Sequence, residues 1–389
     1  MKPINAAVIG SGFMGAAHVE ALRRIPGVHI AAMVSDDRPR AKEIADQFGI
    51  PDVFSDWEQV VQMRDISVVH NCTPNNLHYP INKALIRAGK HVISEKPLTL
   101  NPAEAEELVR LAEEKGTVTA VNFNYRFYPI LQHVRSIISD GDLGDIYYIH
   151  GHYLQDWLYY DTDYNWRLET EISGASRAMA DIGSHWCDMA QFLSGLEITR
   201  VFARMTTIHK ERKKPDHAVE TFKGKEETAE SNAKNIPINT EDIATVLLQF
   251  NNGTTGVVTV SQVSAGRKNH FSLEIDGSKK AVAWNQENPN ELWIGHRDQP
   301  NEILIKDPSL LHTDARQYAH YPGGHPEGYP DGPKNLFNNV YRFIREGKSP
   351  AKDPQDFPTF RDGLRANNIV DAALQSHREQ QWVAVGGKQ

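Results

Sequence analysis

Cysteine is nearly missing from this chain. Its 389 residues contain only Cys72 and Cys187, both in apolar sequence. Thiols in that setting serve as small buried side chains. So few of them speak for a reducing compartment rather than a disulfide-stapled fold. No apolar run approaches the roughly 20 residues that cross a bilayer. No signal peptide fits, because the first strand begins almost at the N-terminus, so the expected location is the cytoplasm. Internal repeats and low-complexity tracts are also lacking. There is no excess of positive charge either: 42 Lys and Arg stand against 50 Asp and Glu, a net −8 at pH 7. That balance argues against general nucleic-acid or anionic-membrane binding and favours solubility.

What remains is ordinary globular material. The chain is 40% hydrophobic and 24% charged, enough for normal cores, and its length suggests two or three domains. The informative stretch comes first. Ala6 to Ile9 is an apolar run that reads as a buried parallel strand. It leads into Gly10, Gly12 and Gly15, a G-x-G-x-x-G pattern, with a helix expected from Met14 to Arg24 and a second strand at Val28 to Val34. In such a βαβ unit the first glycine permits the tight turn. The second admits a pyrophosphate to the backbone, and the third lets helix and strand pack. The N–H groups at the helix start face the anion. The competing interpretation is a strand-to-helix turn that has lost its cofactor.

Strand and helix patterns alternate up to about residue 122, which predicts a doubly wound parallel α/β sheet over residues 1–124. The expected helices include Arg38 to Phe48, Tyr79 to Ala88 (after a polar turn from Thr73 to His78) and Pro102 to Glu114. Ligands bind such sheets at the carboxyl ends of the strands. Gly10, Ser35, Thr73, Glu95, Lys96 and Asn122 fall there. From residue 125 the pattern changes to helices and then runs of strands joined by hairpin turns at Asn251-Asn252-Gly253 and Asp276-Gly277. This predicts an α+β second domain, 125–389, with a mostly antiparallel open sheet. Residues 209–238 are rich in Lys, Glu and Asn and read as a mobile, solvated surface excursion. Helices expected at 335–346 and 359–376 are candidates to pack back on the first domain.

Three residues suit removal of hydrogen from an alcohol. A base must take the hydroxyl proton as the hydride leaves, and His185 has the right ordinary pKa range. Asp181 lies four residues earlier; in a helix beginning at Asp181 the two share a face, where the carboxylate can orient the imidazole. Lys96 at its strand end can stabilise developing alkoxide charge or take the proton itself. Taken singly, a core histidine, an N-cap aspartate and a surface lysine account for the same residues. Aromatic residues at 153–167 (Tyr153, Trp157, Tyr159, Tyr160, Tyr164, Trp166), with Gln155, Asp156 and Arg167, suit the C–H faces and hydroxyls of a sugar. Aromatic packing at an interface is the alternative. The loop 318–332 carries His320 and His325, further candidates to reach a sugar. With His312 they match no tetrahedral metal pattern, so no metal is expected.

Five motifs, in order, carry a family resemblance: Gly10-Ser11-Gly12-Phe13-Met14-Gly15, Thr73-Pro74-Asn75, Glu95-Lys96-Pro97, Asn122-Phe123-Asn124-Tyr125-Arg126 and Asp181-Ile182-Gly183-Ser184-His185. The chain resembles the Gfo/Idh/MocA oxidoreductases. Tyr153 to Trp157 and Trp166-Arg167 resemble its levoglucosan dehydrogenase-like and inositol dehydrogenase-type sugar dehydrogenases. The resemblance implies cofactor contacts from Gly10, Gly12, Phe13, Met14, Gly15, Ser35, Asp36, Arg40, Thr73, Asn75, His78, Glu95, Lys96 and Asn122. It implies catalysis by Lys96, Asp181 and His185, and a cis bond before Pro97. Substrate contacts are expected from Lys96, Tyr125, Arg126, Tyr153, Gln155, Trp157, Trp166, Arg167, Asp181, His185 and His325. The implied activity is NAD(P)-dependent hydride transfer with a cyclic sugar, anhydrosugar or inositol. A non-catalytic nucleotide-sensing regulator and an NAD-dependent, redox-neutral glycoside-cleaving enzyme are the alternatives. A homodimer or homotetramer is implied, since the open sheet leaves a face to cover. The cofactor is NAD or NADP. Ser35 stands at the usual acidic position after the second strand, with Arg38 and Arg40 near enough for a 2′-phosphate, yet Asp36 follows it. Adjacent carboxylates tip the expectation slightly toward NAD.

Overall fold

The computed structural model describes residues 3–216 and 233–387. Their backbone divides into two units, one formed by Met1–Asn124 with Pro330–Asn367, the other by Tyr125–Tyr329 with Asn368–Gln389. The expected boundary at 125–389 therefore gives up residues 330–367 to the first unit.

The first unit is built on six short strands: β1 Ile4–Ile9, β2 Val28–Val34, β3 Asp52–Phe54, β4 Val68–Asn71, β5 His91–Ser94 and β6 Thr119–Val121. All pair in parallel, in the order β3-β2-β1-β4-β5-β6. Helices on both faces explain why the strands are continuous apolar runs rather than alternating ones. Strand order runs outward one way from β1 to β3 and the other way from β4 to β6, which places the loops after β1 and β4 at the topological switch point. Ile81, Leu85 and Ile86 from the helix Asn75–Arg87 and Leu108 and Val109 from Pro102–Lys115 pack with Ala7, Val69, Val92 and Val121 of the sheet. The helix at 75–87 begins four residues before the expected start at Tyr79. The polar run Thr73 to His78 reads as turn chemistry, and Pro80 suits the first turn of a helix starting just before it, yet Pro80 lies inside the helix. His78 is therefore a helical residue.

The second unit holds a nine-stranded sheet. Its strands are β7 Ile146–Leu154, β8 Ile198–Thr206, β11 Ile243–Phe250, β12 Thr255–Ser261, β13 His270–Gly277, β14 Ala281–Asn285, β15 Glu291–Gly295, β16 Glu302–Ile305 and β17 Val383–Ala384, in the order β16-β15-β14-β13-β7-β12-β11-β8-β17. Every pairing is antiparallel except β7 with β12. Along β11, Ala244, Val246, Leu248 and Phe250 are buried while Thr245 and Leu247 are exposed, the alternation of a sheet covered on one face. The helices Pro129–Ser139 and Ser184–Ser194 bring Ile130, Val134, Trp186 and Met189 into the same core as those buried strand residues. The ends of the expected surface excursion, 209–238, form a ribbon instead, β9 Glu211–Lys214 paired antiparallel with β10 Lys234–Pro237. Arg212 anchors it: its guanidinium is fully buried and donates to Asp242 and to the carbonyls of Leu158 and Tyr160. The middle of that excursion, 217–232, lies outside the described residues. Among the described residues no helix is long and apolar enough to cross a membrane.

The irregular loop after β16 is held by a buried ion pair. Lys306 Nζ donates to Glu327 at 2.7 Å and to the carbonyls of Tyr321 and His325, while the other Glu327 oxygen accepts the His320 N–H at 2.8 Å. Removing one partner leaves an uncompensated charge in the interior. Glu327→Leu should lower the unfolding free energy by about 3–5 kcal/mol, and adding Lys306→Met should restore part of it. Denaturant titration of both variants checks this; a Glu327→Leu loss below about 1 kcal/mol, the surface-pair range, would contradict it.

Candidate active site

In the first unit the glycines stand as steric logic requires. Gly10 adopts φ +105°, and an added Cβ would lie 2.4 Å from the Cys72 carbonyl oxygen. A Cβ on Gly15 would lie 1.9 Å from the Gly10 carbonyl oxygen, whereas one on Gly12 would meet nothing within 4 Å. Gly12 caps the helix Phe13–Arg23, whose first residue is exposed. The open backbone at Gly12 and the start of this helix suit an anion. At the end of β2, Ser35 is buried and its hydroxyl accepts a hydrogen bond from Ser11 at 2.8 Å. Asp36 is the first exposed side chain after that strand, and its carboxylate accepts the Asp37 N–H at 3.0 Å. Asp37 caps the next helix by accepting the Arg40 N–H, and the Arg40 side chain pairs with Glu43 at 2.6 Å.

A polar network lies under the loops after β4 and β5. Glu95 is buried and accepts from His18 Nε2 at 3.0 Å and from Asn122 Nδ2 at 2.6 Å. His18 Nδ1 faces His70 Nδ1 at 2.9 Å, and His70 Nε2 faces the Tyr341 hydroxyl at 3.0 Å. Burial raises the Glu95 pKa, but the His18 hydrogen bond and charge, together with Lys96 and Asn122, outweigh it and hold the carboxyl at about 2. Burial, reinforced by His18, lowers the His70 pKa well below the ordinary imidazole range. The Lys96–Pro97 bond is cis. His78 braces the turn, with Nδ1 2.7 Å from the Pro97 carbonyl and Nε2 2.9 Å from that of Thr73. The Thr73 hydroxyl donates to Asn71 at 2.7 Å, and Asn75 is buried in the first turn of its helix.

In the second unit the helix does not start at Asp181. A π turn, Met179–Gly183, precedes the α-helix Ser184–Ser194; such turns occur often at functional sites. The capping acceptor is Glu241, which takes the N–H groups of Arg177 and Met179 and the Ser176 hydroxyl. Asp181 therefore does not cap. Its carboxylate accepts from Gln262 Nε2 at 2.9 Å and lies 3.4 Å from Arg167 Nε. The Arg167 guanidinium stacks over Trp166 at 4.4 Å and stands 5.9 Å from Trp157. His185 is buried, its ring 5.0 Å from that of Tyr125 and nearly perpendicular to it. The hydroxyls of Tyr125 and Tyr153 are 2.8 Å apart and close a ring with Asn269, whose Oδ1 accepts from Tyr153 at 2.6 Å and whose Nδ2 donates to Tyr125 at 3.0 Å. Gln155 joins through Asn269 and accepts from Trp157 Nε1 at 2.9 Å. Burial raises the Tyr125 and Tyr153 pKa values, so both phenols stay protonated at neutral pH.

The fold thus brings Tyr125, Tyr153, Gln155, Trp157, Trp166, Arg167, Asp181 and His185 into one hydrogen-bonded and stacked group. Arg126 stands differently, in a bidentate ion pair with Asp188. His325 is exposed in its loop, with Nδ1 of its ring 3.3 Å from the carbonyl oxygen of Gly323. Lys96 belongs to the first unit, and Asp181 and His185 to the second.

A family model described as an oxidoreductase family with an NAD-binding Rossmann fold matches residues 4–123. The GFO/IDH/MocA C-terminal domain matches residues 131–283. The chain belongs to the Gfo/Idh/MocA oxidoreductase family. It is 31% identical to levoglucosan dehydrogenase from Pseudarthrobacter phenanthrenivorans, with 99% of each chain covered. The solved complex of levoglucosan dehydrogenase with NADH and levoglucosan matches 99% of this chain and 100% of its own at 29% identity and a TM-score of 0.87. An inositol dehydrogenase homologue from Azotobacter vinelandii, complexed with NADH and myo-inositol, matches 98% of both chains at 25% identity and a TM-score of 0.83.

As a Gfo/Idh/MocA oxidoreductase the protein binds NAD, and its residues fit that group. Gly12 leaves backbone open to a pyrophosphate, and the buried Asn122 Oδ1 has no hydrogen-bond partner among the described residues, an acceptor suited to a ligand N–H. Sequence reasoning missed His18, His70, Tyr341, Glu241, Gln262 and Asn269; of these, His18 lies three residues after the glycine loop and His70 three before Thr73-Pro74-Asn75. The Glu95 carboxylate also makes a prediction. Its folded pKa lies below its ordinary value near 4.5, so its contribution is complete above that pH and is lost as pH falls toward 2. Glu95→Gln should cost on the order of 3 kcal/mol at pH 7 and flatten the acid dependence of unfolding free energy between pH 5 and 3. An unchanged acid slope would contradict the assignment.

Proposed function

We propose that the protein oxidises one hydroxyl of a neutral cyclic sugar, anhydrosugar or inositol with NAD. The observation carrying this reading is the group around Asp181: a buried imidazole, a carboxylate that faces Gln262 and Arg167, and a wall of aromatic and amide side chains. Aromatic faces meet the C–H faces of a ring, while amide and guanidinium groups meet hydroxyls. Levoglucosan and myo-inositol, the ligands named in the similar structures, both have this chemistry. NAD, when bound, supplies the hydride acceptor. His185 takes the hydroxyl proton, and Asp181 holds the imidazole in orientation and stabilises it once charged. The Lys96 ammonium stabilises negative charge on the reacting oxygen. Arg167, stacked on Trp166, orients the ring hydroxyls. We further propose that a second copy of this chain covers the outer face of the nine-stranded sheet, where Leu247 is exposed and alternates with core residues.

Lys96→Ala and His185→Ala should each lower kcat by roughly two to four decades, in line with general acid–base contributions, and the His185 variant should still bind NAD. A panel of sugars, inositols and their phosphates, followed at the NADH absorbance, tests the substrate class. Near-wild-type turnover in His185→Ala, or activity confined to sugar phosphates, would overturn the reading.

Asp36 is proposed as the residue that selects NAD, because Ser35 is buried against Ser11 while Asp36 is exposed at the strand end. Asp36→Ala should shift the kcat/KM ratio toward NADP by roughly tenfold or more, the value of a lost bond to a charged group plus relieved repulsion. An unchanged ratio would move the assignment to Ser35 and Arg40.

A further inference from the structure

Gln262 follows β12 directly and is fully buried. Its backbone is fixed on both sides: its N–H donates to the Asp242 carbonyl at 3.0 Å, and its carbonyl accepts the Leu158 N–H at 3.2 Å. Its side chain joins two charged groups. Oε1 accepts from Arg177 Nη1 at 3.0 Å, and Nε2 donates to Asp181 Oδ2 at 2.9 Å. A guanidinium only donates and a carboxylate only accepts, so the amide has one orientation here. Arg177 is itself immobilised. Its Nε donates to the Thr240 hydroxyl at 3.2 Å, and its other nitrogen pairs with Asp242, which also receives Arg212 at 2.9 Å. All three of these charged side chains are fully buried. The same Arg177 contributes its backbone N–H to Glu241 at the start of the helical stretch, and its carbonyl accepts the Asp181 N–H at 2.8 Å.

We infer that Gln262 is a positioning residue for the reaction, transmitting the rigidity of the buried Arg177–Asp242–Arg212 cluster to the Asp181 carboxylate. The inference rests on the proposed role of Asp181. Arg167, another partner of Asp181, lies on a short, partly exposed turn and is stacked on Trp166. It supplies charge, whereas Gln262 supplies a fixed direction. A carboxylate held by one donor from a rigid cluster keeps its second oxygen aligned, and misalignment of a catalytic group by even about 1 Å is expensive in rate.

The test is a double-mutant cycle on the full-length protein with NAD and the most active polyol of the panel. Gln262→Met removes both hydrogen bonds at similar volume. Gln262→Glu keeps the acceptor for Arg177 and removes the donor to Asp181. Each should lower kcat roughly ten- to hundredfold, the range of one bond to a charged group, with the NAD Kd unchanged within about twofold. In an Asp181→Asn background, itself strongly impaired, the same substitutions should add less than about twofold, because Gln262 acts only through Asp181. Wild-type kcat in both Gln262 variants overturns the inference. So does an equal fractional loss in the Asp181→Asn background, or a collapse of folding in both variants, since either marks a structural role. Wild-type kcat in Asp181→Asn would instead sink the assignment of Asp181, and the inference with it.

Discussion

A carboxylate survives in a protein interior only where donors converge on it. That constraint recurs at the points of this molecule where chemistry is expected. Glu95 collects His18, Asn122 and the Lys96 N–H. Asp242 collects two guanidinium groups, and Glu241 two backbone N–H groups and a hydroxyl. Each carboxylate flanks a strand, where sheet gives way to loop. The donors come from other elements, so each site ties several segments together. The motif Glu95-Lys96-Pro97 is held in this way by its first residue, and the motif Asp181 to His185 by acceptors and donors outside it.

The parts of the fold that were legible in sequence are those with local causes. The glycine loop, the strand–helix alternation and the hairpin turns each follow from residues within a few positions of one another. The motif residues at the strand ends were legible for the same reason. The partners that hold them were not. Gln262 lies 81 residues from Asp181, Asn269 lies 144 from Tyr125, and Tyr341 lies 271 from His70. A single polar residue carries no periodicity, and only strand pairing brings it to its partner. The misread helix start has a related cause. Aspartate is a good N-cap, so Asp181 read as one, but Glu241 from a distant segment takes the N–H groups. In the same way, the excursion at 209–238 read as solvent-exposed from its charge, although Arg212 within it is buried on Asp242.

The two units supply different kinds of function. The first carries the features that suit a dinucleotide: a glycine turn with backbone open to approach, an acidic residue after β2 and, on Asn122, an amide oxygen with no partner among the described residues. The second carries the features that suit a polyol, namely a histidine and carboxylate beside stacked aromatic rings whose hydroxyls are already tied to one another and to Asn269. Tyr125 and Tyr153 are hydrogen-bonded to each other and to Asn269, so in the proposed reaction they shape the wall and proton uptake is assigned to the imidazole.

The account's central claim is direct transfer of hydrogen from a carbinol carbon to the nicotinamide ring. A polyol active in the panel, deuterated at its carbinol carbons, should be incubated with NAD and the purified protein, and the recovered cofactor examined by NMR and mass spectrometry. The account predicts one deuterium at C4 of the reduced nicotinamide, formed in step with the ketone product. Reduced cofactor without deuterium, or substrate cleavage with no net reduction of NAD, would contradict it.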